Sequence, residues 1–358
     1  MSMKETKIGK AIRAESAESE SMSAFVKRPA ADWMRLAGEK PPQRKLLGDL
    51  ISENELAVVF SMTNIGKTAL MVQVANCIAS GTALEPFDNE CGPQRVLYFD
   101  FELNDRQFAR RYAGEDGDFV FSDNFIRAQV NAAGRCDGMD YGEFMLVCIE
   151  REIVSCRAKV AVVDNISFLS NELDKGRSAG NLIKRLKEIK ERQGITMIVL
   201  AHTPKRDGKE PLELRDLYGS SIISILVDSC FAMGLSAKDP RARYIKQLKT
   251  RNDEFRYGGD NVCLFELSKV GNMLKFTFIG YVRERDHLGG YSAEARQKLM
   301  ERIIALAEDP TLSYRDIGAQ VGISGMSVMR KIKDYYAACG EKVPERPQAG
   351  RKKKRTGK

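Results

Sequence analysis

A Gly-Lys-Thr triplet at residues 66–68 follows a short apolar run at residues 56–60. The run is typical of a buried strand, and the apolar spacing after Thr68 indicates a helix. Backbone N–H groups and the dipole at a helix start favour anionic oxygens. Lys67 is therefore expected to reach the β- and γ-phosphates of a nucleoside triphosphate, and Thr68 to hold Mg²⁺. The predicted phosphate-binding residues are Ser61, Met62, Thr63, Asn64, Ile65, Gly66, Lys67, Thr68 and Ala69.

The loop departs from the usual G-x-x-x-x-G-K-[S/T] pattern at its first position, where Ser61 stands. An ordinary strand–turn–helix with a surface lysine at position 67 is the alternative. The apolar strand before the loop and the apolar helix after it favour the phosphate-binding interpretation.

Polar side chains also stand at or just beyond the ends of three later predicted strands. They are Asp100 and Glu102 after the first, Asp164 after the second and His202 after the third. Ligands of open parallel sheets bind outside the carboxyl ends of the strands. We therefore expect these side chains to lie near Lys67.

Phosphoryl transfer needs a carboxylate for Mg²⁺, a residue that orients the attacking water, and positive charge on the transition state. Asp164 suits the metal role and Glu102 the water-orienting role. Asp100 is a rival for either, because strand alternation predicts the same side for residues 100 and 102. An acid that ends a strand is more often a turn or cap residue, so the interpretation depends on the combination with Lys67.

An α/β fold is predicted to position these residues, because apolar strands alternate with helices from about residue 46. Continuous apolar strands separated by helical crossovers indicate a mainly parallel sheet covered on both faces. Residues 243–251, 262–268 and 273–282 alternate like antiparallel strands at one edge. The predicted parallel strands are 56–60, 95–101, 159–164, 196–201 and 229–235, with helices at 69–80, 104–112, 141–157 and 177–193.

Composition limits the possible classes of protein. The 358 residues are 43% hydrophobic, enough for a core, and the longest apolar stretch, 222–235, is interrupted by Asp228. No stretch reaches the length of a membrane span, and no apolar segment follows the charged N-terminus. Eight cysteines without a C-x-x-C pair, and only two histidines, argue against a zinc cluster and favour the cytosol.

Most of the net charge of +8 lies at the C-terminus, where residues 341–358 hold eight Lys or Arg against two Glu. Such a run favours a flexible arm that binds nucleic-acid phosphates, with a merely solubilising tail as the alternative. The residues predicted to contact DNA in this tail are Arg351, Lys352, Lys353, Lys354 and Arg355.

Residues 293–337 read as three helices, at 293–308, 314–321 and 325–337. Ser313 and Asp316 form a capping-box pattern, Gly322 ends one helix, and Ser324 caps the next. The pattern predicts a helix-turn-helix that resembles those of bacterial DNA-binding proteins, with a protein-docking module as the alternative. Its predicted DNA-contacting residues are Ser324, Gly325, Ser327, Arg330 and Lys331.

The order of motifs resembles a RecA-type ATPase core, specifically that of hexameric replicative helicases and plasmid RepA-type helicases. The resemblance covers about residues 40–282. It is carried by the loop at 61–70, the strand and Glu at 96–103, the Walker B-like segment at 162–165, the segments at 199–202 and 219–228, and Lys249-Thr250-Arg251-Asn252.

The resemblance implies ATP as substrate, with Glu102 rather than Asp100 as the catalytic acid. It implies that His202 senses the γ-phosphate, where many relatives have Gln. Lys249 and Arg251 resemble a Lys-x-Arg finger that enters the neighbouring subunit's site, which implies a ring, most simply a homo-hexamer. A solvated edge strand is the alternative for Lys249 and Arg251.

The predicted organisation is a flexible segment at 1–38, a RecA-like P-loop ATPase domain at 39–286, a helix-turn-helix domain at 291–340 and a basic disordered tail at 341–358. The predicted function is an ATP-driven, DNA-associated motor in the cytoplasm of a bacterium or carried by a mobile element, such as a helicase or replication protein. Two alternatives stay open: an ATP-switched, partition-like DNA-binding regulator, and a docking protein with a degenerate ATP site.

Overall fold

A computed structural model describes residues 25–115, 117–131, 134, 138–169, 176–203, 208–217, 220–289, 293–340 and 343. The chain divides into two units, Met1–Gln43 and Arg44–Lys358. No helix in the described ranges is both long and apolar enough to span a bilayer.

The described part of the first unit contains one helix, α1 (Ala30–Gly38). None of the side chains of this helix is buried. Arg35 bonds to Glu39 at 2.7 Å, one turn away. This helix lies in the segment 1–38, for which the sequence predicted no regular structure.

The second unit is built on a nine-stranded sheet. Two further pairs of short strands, β1 with β2 and β5 with β6, flank it. The strands are β1 (Lys45–Leu47), β2 (Ile51–Ser52), β3 (Leu56–Ser61), β4 (Val96–Asp100), β5 (Ala113–Gly114), β6 (Gly117–Asp118), β7 (Phe125–Ala128), β8 (Val160–Asp164), β9 (Thr196–His202), β10 (Ser229–Leu235), β11 (Ala242–Lys249), β12 (Val262–Val270) and β13 (Met273–Val282).

The large sheet is mostly parallel, in the order β13, β12, β11, β10, β3, β9, β8, β4 and β7. The six strands from β10 to β7 pair in parallel, and β11, β12 and β13 extend the β10 edge antiparallel. This confirms the mainly parallel α/β sheet with an antiparallel edge, an arrangement that fits a RecA-like core. Because β9 lies between β3 and β8, the carboxyl ends of these three strands adjoin one another.

Helices cover both faces of the sheet, because alternate residues of its parallel strands enter different hydrophobic clusters. Val59 packs in the cluster that includes α2, whereas Val58 packs in the cluster that includes α4 and α5. These strands therefore read as continuous apolar runs rather than as alternating patterns. The helices of this part are α2 (Lys67–Ser80), α3 (Asp105–Tyr112), α4 (Tyr141–Cys156), α5 (Gly176–Gln193) and α6 (Ser220–Leu226), with 3-10 turns at Ile166–Phe168, Leu214–Asp216 and Glu284–His287.

Three further helices follow, α7 (Ala293–Ala307), α8 (Tyr314–Val321) and α9 (Gly325–Cys339). The capping box is present: the Ser313 hydroxyl accepts the Asp316 N–H, and the Asp316 carboxylate accepts the Ser313 N–H. Gly318 allows α8 to approach the following turn, since a Cβ there would lie 2.5 Å from the Ile323 carbonyl oxygen. Apolar side chains of all three helices form their own cluster, which includes Ile303, Ile317, Ile323, Val328 and Ile332.

The segment before these helices differs from the sequence prediction. The predicted organisation left residues 287–290 between the ATPase domain and the helix-turn-helix domain, but His287 ends a 3-10 turn and is only 1% exposed. Residues 290–292 lie outside the described residues.

Candidate functional site

The loop between β3 and α2 leaves the start of α2 available for an anion. Gly66 caps α2 with φ of +109°, and this N-cap residue has no side chain to bond to the N–H groups of the first turn. Gly66 is also crowded, because a Cβ there would lie 3.0 Å from Leu267 Cδ2 and 3.3 Å from Phe276 Cζ. Both the backbone angle and the packing therefore require glycine at this position.

Ser61, the residue that departs from the common loop pattern, ends β3 and is fully buried. Its hydroxyl donates to the Met62 carbonyl at 2.9 Å. The serine side chain is thus accommodated within the strand end and takes no part in the helix start.

Lys67 is buried, with 5% exposure, and its ammonium contacts the ring of His202 at the end of β9. Lys67 Nζ lies 3.1 Å from His202 Nδ1. Burial lowers the pKa of Lys67, while the charges of Asp164 and Glu102 oppose that shift. The lysine is therefore not the surface side chain of an ordinary strand–turn–helix.

The carboxylate of Asp164 ends β8 and is fully buried. Tyr98 Oη donates to Asp164 Oδ2 at 2.7 Å, whereas Asp164 Oδ1 has no hydrogen-bond partner among the described residues. Burial raises the pKa of Asp164 to about 6. A buried carboxylate oxygen without a partner is costly unless a cation or donor binds it.

Asp100 and Glu102 have different environments, so the expectation that they share one side is wrong. Asp100 Oδ1 accepts the N–H groups of Glu102 and Leu103, at 3.1 and 2.9 Å, which turns the chain out of the strand. Asp100 Oδ2 forms an ion pair with Arg127 Nε at 2.8 Å. Asp100 therefore has structural partners, and the turn frees Glu102 to face Lys67.

Glu102 joins the cluster at the carboxyl edge of the sheet. Its Oε1 lies 3.2 Å from His202 Nε2, and its Oε2 lies 3.5 Å from Thr68 Oγ1. The hydrogen bond from His202 and the charge of Lys67 lower the pKa of Glu102 against the opposing effect of burial. A proton on Nε2 lets the His202 ring accept from Lys67 at Nδ1 and donate to Glu102 at Nε2.

Asn165 is a member of this cluster to which the sequence analysis gave no role. Asn165 Oδ1 accepts the Ser167 N–H at 2.8 Å, which directs Asn165 Nδ2 towards Glu102 and His202. Nδ2 donates to Glu102 Oε1 and lies 3.0 Å from His202 Nε2. Its position directly after Asp164, at the end of an apolar strand, was the available signal.

The model of the AAA domain family matches residues 23–208, which include Lys67, Glu102, Asp164 and His202. This chain belongs to the AAA domain family.

A solved structure of a KaiC-like protein from the hyperthermophilic archaeon Pyrococcus horikoshii OT3 is similar at 19% identity, over 63% of this chain and 91% of that chain, with a TM-score of 0.44. The search of curated proteins found no match. The AAA domain, the loop and the mostly parallel sheet support a P-loop ATPase with a RecA-like core.

The AAA domain's polar residues fit Mg²⁺ bound with a nucleotide. No group of three or more His, Cys, Asp or Glu in the described ranges could hold a metal alone. Mg²⁺ at a nucleotide site is usually bound by one or two protein oxygens together with phosphates and waters. Asp164 Oδ1, which has no partner in the part of the chain that the structure describes, and the hydroxyl of Thr68 are suited to that role.

Lys249 and Arg251, the predicted finger, lie outside the AAA domain match and apart from Lys67. Lys249 pairs with Cys230, near the start of β10, and therefore lies at the amino end of the parallel strands. The phosphate-binding loop follows β3 at their opposite, carboxyl end. Lys249 Nζ donates to the carbonyls of Ser224 and Val227, and Arg251 donates to Ile225 at the end of α6. Within one chain, the two side chains therefore cap α6.

The segment at 219–228, which also contributed to the resemblance, ends at Asp228. Asp228 Oδ2 accepts the Leu56 N–H at 2.9 Å. Gly219 lies outside the described residues, and only the backbone of residues 220–221 is described.

The predicted DNA-contacting residues of α9 are not all at the surface. Ser324 and Ser327 are buried at 1% and 2% exposure, so their assignment as groove-contacting side chains is wrong for this arrangement. Tertiary contact is the reason: the Ser324 N–H donates to Asp239 Oδ2 at 3.1 Å. Arg330 is exposed, and Gly325 and Lys331 are half-buried. The tail residues 351–355 lie outside the described residues.

Proposed function

We propose that this chain is an ATP-hydrolysing, DNA-associated motor, most simply a RepA-type helicase or replication protein of a bacterium or mobile element. It acts in the cytoplasm as a homo-oligomer, and a hexamer is the form we propose. The observation that carries the hydrolytic part is the cluster of Lys67, Glu102 and Asp164 around the free N-terminus of α2.

In the proposed reaction, the N–H groups at the start of α2 and the Lys67 ammonium bind the β- and γ-phosphates. Glu102 is ionised and orients the water that attacks the γ-phosphorus. His202 exchanges its contact with Lys67 for one with the γ-phosphate. Mg²⁺ bound by Asp164 and Thr68 would neutralise charge on the phosphate oxygens.

Oligomerisation is proposed because none of the arginines that the structure describes bonds to Lys67, Glu102 or Asp164. Arg251 is 44% exposed at the opposite edge of the sheet, where a neighbouring copy can be reached. Transition-state charge in phosphoryl transfer is commonly stabilised by an arginine supplied in trans. Arg251, with Lys249 beside it, is our candidate for that group.

DNA binding is proposed from the three C-terminal helices and the basic tail. Arg330 is exposed on α9, and the tail carries Lys and Arg that suit phosphate backbones. The second candidate function, an ATP-switched DNA-binding regulator, is favoured by one observation. The start of α9 contacts the core at Asp239, an arrangement suited to nucleotide control of DNA binding.

The deciding experiment measures ATP turnover with and without single-stranded DNA, together with displacement of a labelled strand from forked duplex. A motor requires turnover that DNA stimulates, and strand displacement that stops with the Glu102→Gln variant. Turnover that DNA leaves unchanged, without displacement, favours the regulator. Absence of any turnover above that of Lys67→Ala contradicts the motor, and absence of ATP binding contradicts both.

A further inference from the structure

The loop between β10 and β11, residues 236–241, contacts the C-terminal helices. Asp239 in this loop is fully buried, and its Oδ2 accepts the N–H of Ser324, the N-cap residue of α9. Asp239 Oδ1 accepts the Arg241 N–H at 2.9 Å. Although burial opposes the shift, N–H bonds from Arg241 and Ser324 lower the pKa of Asp239. An ionised carboxylate therefore lies at the positive end of the α9 dipole.

A second contact fixes the turn between α8 and α9 to the same loop. His287 Nδ1 lies 2.7 Å from Ser236 Oγ, and the His287 carbonyl accepts the Ala237 N–H at 2.8 Å. Gly322, in the α8–α9 turn, lies beside the His287 ring, since an ideal Cβ there would be 3.4 Å from Nε2. The turn and the start of α9 are thus both held against residues 236–239.

The other end of the loop is connected to the phosphate-binding loop. Arg243, just inside β11, donates from Nε to the Ile65 carbonyl at 2.8 Å. The same guanidinium donates from NH1 to the Pro240 carbonyl at 2.6 Å. One arginine therefore joins the backbone that precedes Gly66 to the residue that follows Asp239.

We propose that Asp239 masks α9 from DNA and that nucleotide binding at the phosphate-binding loop releases it through Arg243. This inference rests on the proposed function, because it assumes that α9 binds DNA and that Lys67 binds a triphosphate. The Asp239 carboxylate occupies the place where a DNA phosphate would meet the α9 N-terminus, and it repels that phosphate.

Release follows from the requirements of the phosphate-binding loop. A bound triphosphate orients the N–H groups of residues 62–67 around its oxygens, which changes the backbone at Ile65. Arg243 then loses or shifts its bond to Ile65, and Pro240 and Asp239 move with it. The two states differ in whether Asp239 or a DNA phosphate occupies the start of α9.

The experiment measures the affinity of the full chain for a short DNA duplex by fluorescence anisotropy, with and without a non-hydrolysable ATP analogue and Mg²⁺. The variants are Asp239→Asn and, as a control with the same charge change, Asp260→Asn at an exposed position. Without nucleotide, we expect Asp239→Asn to bind DNA about tenfold more tightly than wild type. The DNA affinity of Asp260→Asn should remain near that of wild type. The analogue should strengthen DNA binding by wild type but not by Asp239→Asn.

Equal DNA affinity of wild type and Asp239→Asn overturns the mask, as does the absence of DNA binding by every variant. Affinity for the analogue itself, measured in parallel with Lys67→Ala, reports separately whether the nucleotide site is real. A second measurement needs no variant: amide hydrogen exchange of residues 324–328 in wild type. Faster exchange on adding the analogue supports release, and unchanged exchange overturns the link through Arg243.

Discussion

Lys67 Nζ lies 3.1 Å from His202 Nδ1, so the ammonium expected to bind phosphate is held by a ring at the end of the adjacent strand β9. The other ring nitrogen faces Glu102, which connects the lysine, the histidine and the glutamate in one row. A triphosphate that binds Lys67 therefore also changes the partner of His202 and, through it, the position of Glu102.

The two acids near the end of β4 should respond differently to loss of charge. Glu102→Gln should lower ATP turnover about a hundredfold or more and leave nucleotide affinity nearly intact, because it removes the water-orienting group. Asp100→Asn should instead destabilise the fold by about 3 kcal/mol, because it removes the buried carboxylate that pairs with Arg127 and leaves that guanidinium only the exposed carboxylate of Asp105.

Steady-state kinetics and urea unfolding of both variants check this pair of predictions. Unaltered turnover of Glu102→Gln, with turnover lost in a folded Asp100→Asn, would transfer the catalytic role to Asp100.

Asn165 should act as a positioning residue for Glu102. Asn165→Asp retains the oxygen that accepts the Ser167 N–H but sets a carboxylate against Glu102. We expect kcat to fall about tenfold or more with little change in KM or in urea stability, because like charges repel Glu102 from its place. A parallel loss of stability and activity would indicate a purely structural role.

Arg251 should complete the site of a neighbouring subunit. Lys67→Ala and Arg251→Ala should each be inactive alone. A 1:1 mixture should recover about a quarter of wild-type turnover, because about one interface in four then pairs an intact Lys67 with an intact Arg251 of the neighbouring subunit. Arg256→Ala, which alters another exposed arginine, serves as the control. If the mixture is no more active than either variant, Arg251 acts within its own chain, as a cap of α6.

His287 should make the second unit, Arg44–Lys358, sensitive to acid. Burial, reinforced by Lys238 and opposed by Asp239, lowers the pKa of His287 to about 3, whereas an unfolded histidine titrates near its usual value of 6.5. The unfolded state therefore binds the proton first, and the contribution of neutral His287 to stability is lost as pH falls from about 6.5 towards 3.

This loss amounts to about 2 kcal/mol at pH 5, and it should be smaller in His287→Asn. Urea unfolding at pH 5 and pH 7.5 measures it. Because the chain has only two histidines, nitrogen NMR of the rings can assign the titration directly. A His287 ring that is already protonated at pH 5 in the folded protein would contradict the prediction.

Long apolar strands and helix caps made much of the fold predictable. β10 has the predicted bounds. β3, β8 and β9 differ by one residue at one end, and β4 differs by one residue at each end. The capping box at Ser313 is formed. The strand β7 (Phe125–Ala128) and the helix α6 (Ser220–Leu226) were not predicted. Each is short, and partners distant in sequence fix it: β4 for β7, and Lys249 and Arg251 for α6.

The site residues were predictable where the residue type itself indicates the chemistry. They were not predictable where contacts with residues distant in sequence decide the role of a side chain. Lys67, Glu102 and His202 come together as expected at the carboxyl edge. The structural role of Asp100 depends on its ion pair with Arg127, and the burial of Ser324 depends on its contact with Asp239, 85 residues away. No local pattern specifies either contact, and the same holds for the amide of Asn165.

The central claim is that the start of α2 and Lys67 bind a nucleoside triphosphate with Mg²⁺. Its most direct test is calorimetric titration of ATP into wild type, Lys67→Ala and Lys159→Ala, with Mg²⁺ and with a chelator; Lys159 is an exposed lysine before β8. The account predicts Mg²⁺-dependent binding by wild type and Lys159→Ala that Lys67→Ala lacks. Equal affinity of all three proteins, or no binding by wild type, would contradict it.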